Sequence, residues 1–277
     1  MTRMKVFIIA VCITMCGCAA QKKTIINELR PVKLQQLSFK EALDIVHVQS
    51  SEFSALKSDI QIEIKSNLIP DTQFCKGKMM LLRPDKIRMK GYKPFVPTLF
   101  DLASNGEEFW FYIPKEKKLY TGTYEDDSSS SIKLDVDPMS LISAMTFDNV
   151  DDDSDEEIVF LERSGESCVV NVLNKYLSDS GYFRYFMKRK IVISLESHKI
   201  LQQAYYKNDG NVSFEVYYEK YTVRDDVSFP QQIVFVRPKT GTWVRINLLK
   251  TSFNQTFSDG VFSLDSVKGV ERIEIGK

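Results

Sequence analysis

Histidine is the scarcest chemistry-bearing residue of this 277-residue chain, which contains only His47 and His198. No His-Glu-x-x-His pair occurs, so the helical zinc-hydrolase arrangement is excluded. Gly165-Glu-Ser-Cys-Val lacks the second glycine of a nucleophile elbow, and no Gly-rich phosphate loop is present. His47 sits beside Ile45 and Val46 in a helical pattern and His198 lies between two strands, positions that suit structural roles better than general bases. An excess of one charge is also missing. Lys plus Arg equals Asp plus Glu at 37 each, so no net field points to nucleic acid or to an anionic surface. Enzyme chemistry, a metal and a cofactor are therefore not expected, and the chain reads as a binding protein.

A long hydrophobic run is absent too. Val6 to Met15 is too short to span a bilayer, yet Arg3 and Lys5 precede it and Met15-Cys16-Gly17-Cys18 follows. This resembles a bacterial lipoprotein signal (residues 1–17) with Cys18 as the acylated N-terminus. An ordinary secretory signal or an anchor helix is the alternative. Ala19 stands where an Asp resembles the inner-membrane retention signal, which favours the outer membrane, facing the periplasm. Of five cysteines, only Cys75 and Cys168 then remain in the folded body, either bonded or as buried free thiols. Asp151, Asp153, Asp155 and Glu162 fall at calcium-loop spacing, but Glu156 occupies the place that needs Gly, so a solvated acidic loop is the reading.

What is present is a core-forming composition, 43% hydrophobic and 12% aromatic. Residues 18–37 read as a tether. Ser38 with Glu41 forms a capping box that predicts a helix from Phe39 to Ser51, with Ala42, Ile45, Val46, Gln49 and Phe53 on one face. Asp59 to Lys65 alternates, turning Ile60, Ile62 and Ile64 to a core. Asp137-Pro138 opens a second helix with Met139, Leu141, Ile142 and Met145 apolar. Turn signals at Asn208 to Asn211 and Pro238 to Gly241 join strands. The expectation is a mainly antiparallel α+β fold of about eleven strands and two short helices, one domain over residues 38–277. Gly77 to Pro114 is apolar on consecutive strand positions, so both of its faces need cover.

The order of a helix, the Arg83-Pro84 turn, an Asn-Gly followed by Phe109-Trp-Phe-Tyr112 and Pro114, the Pro138-Met-Ser-Leu-Ile142 helix, and Asn254 to Phe262 resembles the LolA/LolB/RseB-type periplasmic family. The body is longer than in LolA or LolB, and the loops around Asp126 and Asp151 look inserted. The resemblance implies a half-open antiparallel barrel whose concave apolar face, lidded by helices, receives acyl chains or a partner segment. Groove residues would be Met80, Leu82, Ile87, Met89, Phe109, Trp110, Phe111, Tyr112, Met139 and Ile142. Arg83 and Pro84 match the family turn as a gate. Tyr92, Phe95, Val96, Leu99 and Phe100 form either a membrane-touching loop, as in LolB-like receptors, or a loop folded over the barrel mouth. A closed, side-chain-filled barrel is the alternative to an open groove. The implied role is an outer-membrane lipoprotein, monomeric, that handles acyl-bearing lipids or lipoproteins. A scaffold or sensor that binds a protein partner, as RseB does, is the competing class.

Overall fold

The computed structural model describes residues 36–67, 69–123, 138–147, 149–152, 154–178 and 181–275. The expected signal, Cys18 and most of the tether fall outside the described residues, as do Asp137 and Asp153. From Leu37 to Lys277 the chain forms one compact unit.

Helix α1 spans Phe39–Ser51, and its capping box forms: Glu41 N donates to Ser38 Oγ at 3.3 Å while Ser38 N donates to Glu41 Oε2 at 2.7 Å. These bonds satisfy donors that a helix start leaves open. Ala42, Leu43, Val46 and Gln49 are buried along one face. Strands β1 (Ala55–Ser66), β2 (Ile69–Leu82), β3 (Lys86–Lys93), β4 (Val96–Asn105), β5 (Glu108–Ile113) and β6 (Lys118–Thr123) follow, then helix α2 (Pro138–Thr146). The second run is β7 (Glu157–Ser164), β8 (Ser167–Leu177), β9 (Phe183–Ser194), β10 (Ile200–Tyr206), β11 (Val212–Arg224), β12 (Val227–Arg237) and β13 (Thr242–Phe253), closed by β14 (Glu271–Glu274).

All fourteen strands form one sheet, in the order β14-β6-β5-β4-β3-β2-β1-β13-β12-β11-β10-β9-β8-β7. Every pairing is antiparallel except β14 on β6. The first and last strands do not meet, so the sheet is open and unclosed. Fourteen strands replace the expected eleven, and two of the additions have clear reasons. β4 carries Pro97 just inside its start, where a register shift between Gly91 and Lys93 leaves the proline outside the regular ladder. β14 has only four residues, too short to carry a period.

Alternation gives the sheet two faces. Leu56, Ile60, Ile62, Met79, Leu81, Ile87, Met89 and Leu102 join Val46, Ile142 and Met145 of the helices in the main core, which runs on through β13, β12, β11, β9 and β8. The outward face is covered over β4 to β6 by the C-terminal segment, where Ala103, Trp110 and Leu119 pack against Leu264, Val267 and Val270. Arg88 ties this strap down by donating to Val261 O at 2.7 Å while it grips Asp101 at 2.6 and 2.7 Å. Trp110 Nε1 donates to Asp265 Oδ1 at 3.1 Å. The second face of the Gly77 to Pro114 stretch is thus covered over β4 and β5 by the end of the same chain, while β2 and β3 turn Lys78 and Lys90 to solvent there.

Candidate functional site

Period 2 divides the expected groove residues between the two faces. Ile87, Met89, Phe109, Phe111 and Ile142 are on the helix side, all buried except the half-buried Phe111. Met80 and Leu82 alternate with the inward Met79 and Leu81 and so face outward. Trp110 and Tyr112 lie beneath the C-terminal strap. One strand cannot turn neighbouring residues to one face, so these four do not share a groove with the other five. Met139 lies on α2, and its side chain is outside the described set. The helix-side face is filled by aromatic packing: Phe53 meets Phe229 and Phe253 at 5.3 and 5.2 Å, and Phe147 stacks on Tyr218 at 4.4 Å.

Arg83 and the cis Arg83–Pro84 peptide end β2. The Arg83 guanidinium lies 4.1 Å over the Phe53 ring, and its backbone N donates to Ser54 O at 2.9 Å. Phe53 immediately follows α1, so this contact pins the exit of α1 to the sheet. Other ties of the helices are polar: Gln49 Nε2 donates to Ser228 O at 3.2 Å, Ser228 N donates to Glu52 Oε1 at 2.7 Å, Tyr218 OH donates to Ala144 O at 3.0 Å, and His47 Nε2 lies 3.1 Å from Val150 O in the segment after α2.

Tyr92 to Phe100 is a hairpin between β3 and β4. Its tip is Pro94-Phe95, with Phe95 at φ 65° and fully exposed. Val96 is exposed, while Tyr92, Leu99 and Phe100 are half-buried. Phe100 folds back over Gly91, where a Cβ would come within 2.3 Å of its ring. Phe74 on β2 is exposed at 51% beside the tip. Lys76, Lys78 and Lys90 stand exposed on the outward face of the same strands. From Thr72 to Phe100 there are five lysines against Asp85, a local basic surface that the neutral total conceals, while Arg83 is turned over Phe53 and Arg88 is paired with Asp101.

At the far end of the sheet, the β8–β9 hairpin exposes Tyr176, Leu177, Tyr182, Phe183 and Tyr185. Beside it is a cavity of about 520 Å³ lined by Glu156, Glu157, Asn174, Lys175, Tyr176, Phe186, Lys188 and Asn208. Lys188 pairs with Glu157. The sequence singles out none of these residues for binding: Glu156 and Asn208 stand out only for a loop and a turn, and the remaining signal is the density of aromatics between Tyr176 and Phe186.

Cys75 and Cys168 are free thiols. Burial pushes Cys75 up to about 11, against a smaller opposing pull from Lys93, and burial also raises Cys168. Both are held protonated, the state that neither attacks nor ligates. Among the described residues no group of three or more His, Cys, Asp or Glu is placed to hold a metal. Glu162 lies in β7 and accepts from Asn171 Nδ2 at 3.3 Å.

No protein-family model matches the chain. A sequence search of curated proteins also found no match. Solved structures do match the fold. A DUF1329-family protein from Desulfovibrio piger aligns with a TM-score of 0.57 at 13% identity, over 83% of this chain and 98% of its own. A LolA superfamily protein from Nitrosomonas europaea aligns at 0.55 and 9%, over 84% and 100%. A domain from Vibrio parahaemolyticus described as an outer membrane lipoprotein-sorting protein aligns at 0.54 and 11%, over 80% and 96%. At these identities the likeness establishes a LolA-like fold.

Proposed function

We propose that this protein is anchored to a bacterial outer membrane through acylated Cys18 and that its LolA-like body binds acyl chains of a lipid or lipoprotein between sheet and helices. The observation that carries this reading is the roof. Among the described residues, a continuous apolar face running from β1 across to β8 is covered by two helices, of 13 and 9 residues. Polar ties to them include Gln49 to Ser228 O and Ser228 N to Glu52 on the α1 side and Tyr218 to Ala144 O on the α2 side, beside the Arg83–Phe53 stack at the exit of α1. Displacing α2, which carries Met145, opens the face that holds Ile87, Met89 and Phe111, and flexible thioethers adapt to varied chains. Burying about fifteen methylenes gains about 12 kcal/mol. An association cost of about 4 kcal/mol leaves roughly micromolar affinity. The basic hairpin with Phe95 at its tip supports a position against the bilayer, since each Lys near an anionic surface contributes about 1 kcal/mol.

Titration with a fluorescent fatty acid such as dansyl-undecanoate tests the reading. Saturable binding that Ile142→Trp weakens, with the folded circular dichroism spectrum retained, is the expected result. Linear, non-saturable partitioning contradicts it and leaves a filled core that serves a protein partner.

A further inference from the structure

We infer that the cavity beside the β8–β9 hairpin is a separate site for a neutral oligosaccharide. Register builds it. Glu157 pairs with Asn174, Asn174 with Phe186, and Tyr176 with Arg184, so Glu157, Asn174, Phe186 and Tyr176 share one face of three adjacent strands. A shift between Val172 and Leu173 leaves Lys188 as an extra residue on β9, turned to pair with Glu157. Such bulges re-aim side chains.

The lining decides the ligand class. The exposed lining is mainly apolar surface, with polar groups from six of its eight residues around it, the mixture that a sugar ring presents in return. Glu157 is paired with Lys188, while the Lys175 ammonium stands over Phe183 on the other face, so no unpaired cation is offered to a phosphate. Two aromatic rings on one face of neighbouring strands remain, with Tyr176 half exposed. A pyranose presents a flat C–H face to such rings and a rim of hydroxyls that both donate and accept. Asn174 and Asn208 do both and Glu156 accepts, which matches that rim. A volume of about 520 Å³ is of the size that small-ligand sites use. The site shares no residue with the helix-side groove, so this inference and the acyl-binding proposal stand or fall separately.

Calorimetric titration of the purified full chain with triacetylchitotriose and maltotriose tests it. Saturable binding of at least one is expected. Tyr176→Ala and Asn174→Ala should each weaken it about five- to tenfold, with the thermal midpoint held, because Tyr176 is exposed and Asn174 half-buried. Binding of dansyl-undecanoate should be unchanged in both variants. Absence of saturable binding of either sugar at millimolar concentration overturns the inference, as does binding that Tyr176→Ala leaves intact. Displacement of the bound sugar by inorganic phosphate also overturns it.

Discussion

Replacing Arg88 with Met tests whether the C-terminal strap is the cover of the outward face. Arg88 holds Asp101 through two short bonds, at 2.6 and 2.7 Å, and Val261 O through a third. Asp101 is 6% exposed. Removing the guanidinium strands a buried carboxylate and a strap carbonyl together. Loss of one partner of a buried pair costs about 3–5 kcal/mol, and since the Arg88 side chain keeps 20% exposure the lower end, about 3, applies. For a body of this size about 3 kcal/mol lowers the thermal midpoint by about 6–12 °C. Adding Asp101→Leu removes the stranded charge and should recover all but about 1 kcal/mol, the part due to the orphaned Val261 carbonyl. Circular dichroism melts give the midpoints, and limited proteolysis reads the strap directly. Arg88→Met should speed cleavage between residues 254 and 270. A midpoint within 2 °C of the parent with unchanged cleavage would refute the reasoning, as would a double variant weaker than either single one.

Cys18→Ser should abolish metabolic labelling with a palmitate analogue and release the protein from the membrane fraction; persistent labelling refutes lipidation there. In that soluble background Phe95→Asp should reduce binding to phosphatidylglycerol vesicles about 30-fold, from about 2 kcal/mol of lost burial, while a fully exposed position leaves the melt unchanged. Unchanged vesicle binding removes the hairpin from the membrane reading. Cys75 binds its proton more tightly folded than unfolded, so its contribution to stability is complete below pH 9 and declines as pH rises toward 11. At pH 8 Cys75 should react with iodoacetamide about 100-fold more slowly in the folded protein than in urea; equal rates contradict its burial.

The local signals were legible where one short segment holds the whole cause. Ser38 and Glu41 define the start of α1 because a capping box needs four residues and no tertiary context. Ile60 and Ile62 alternate with polar residues, so their inward face was readable. The Asn208 to Asn211 turn was readable as well, with Gly210 at φ 82°. Phe109-Trp-Phe-Tyr was not, because a run apolar at every position does not say which side meets the helices. That choice is made by the strap, through contacts such as Trp110 to Asp265, 155 residues apart. β4 was hidden by Pro94 and Pro97, which read as a connector until the register shift beside Gly91 accommodates them. The cavity depends on three strands and one displaced lysine, none of which has a local signature.

The account rests most heavily on acyl binding by the LolA-like body. Native mass spectrometry of the full protein, extracted gently and freed of excess detergent, measures this directly. The prediction is a population heavier than the lipidated chain by the mass of one acyl-bearing molecule, released on activation and diminished by Ile142→Trp. A single bare species at every activation energy, with Ile142→Trp indistinguishable from the parent, would contradict the account.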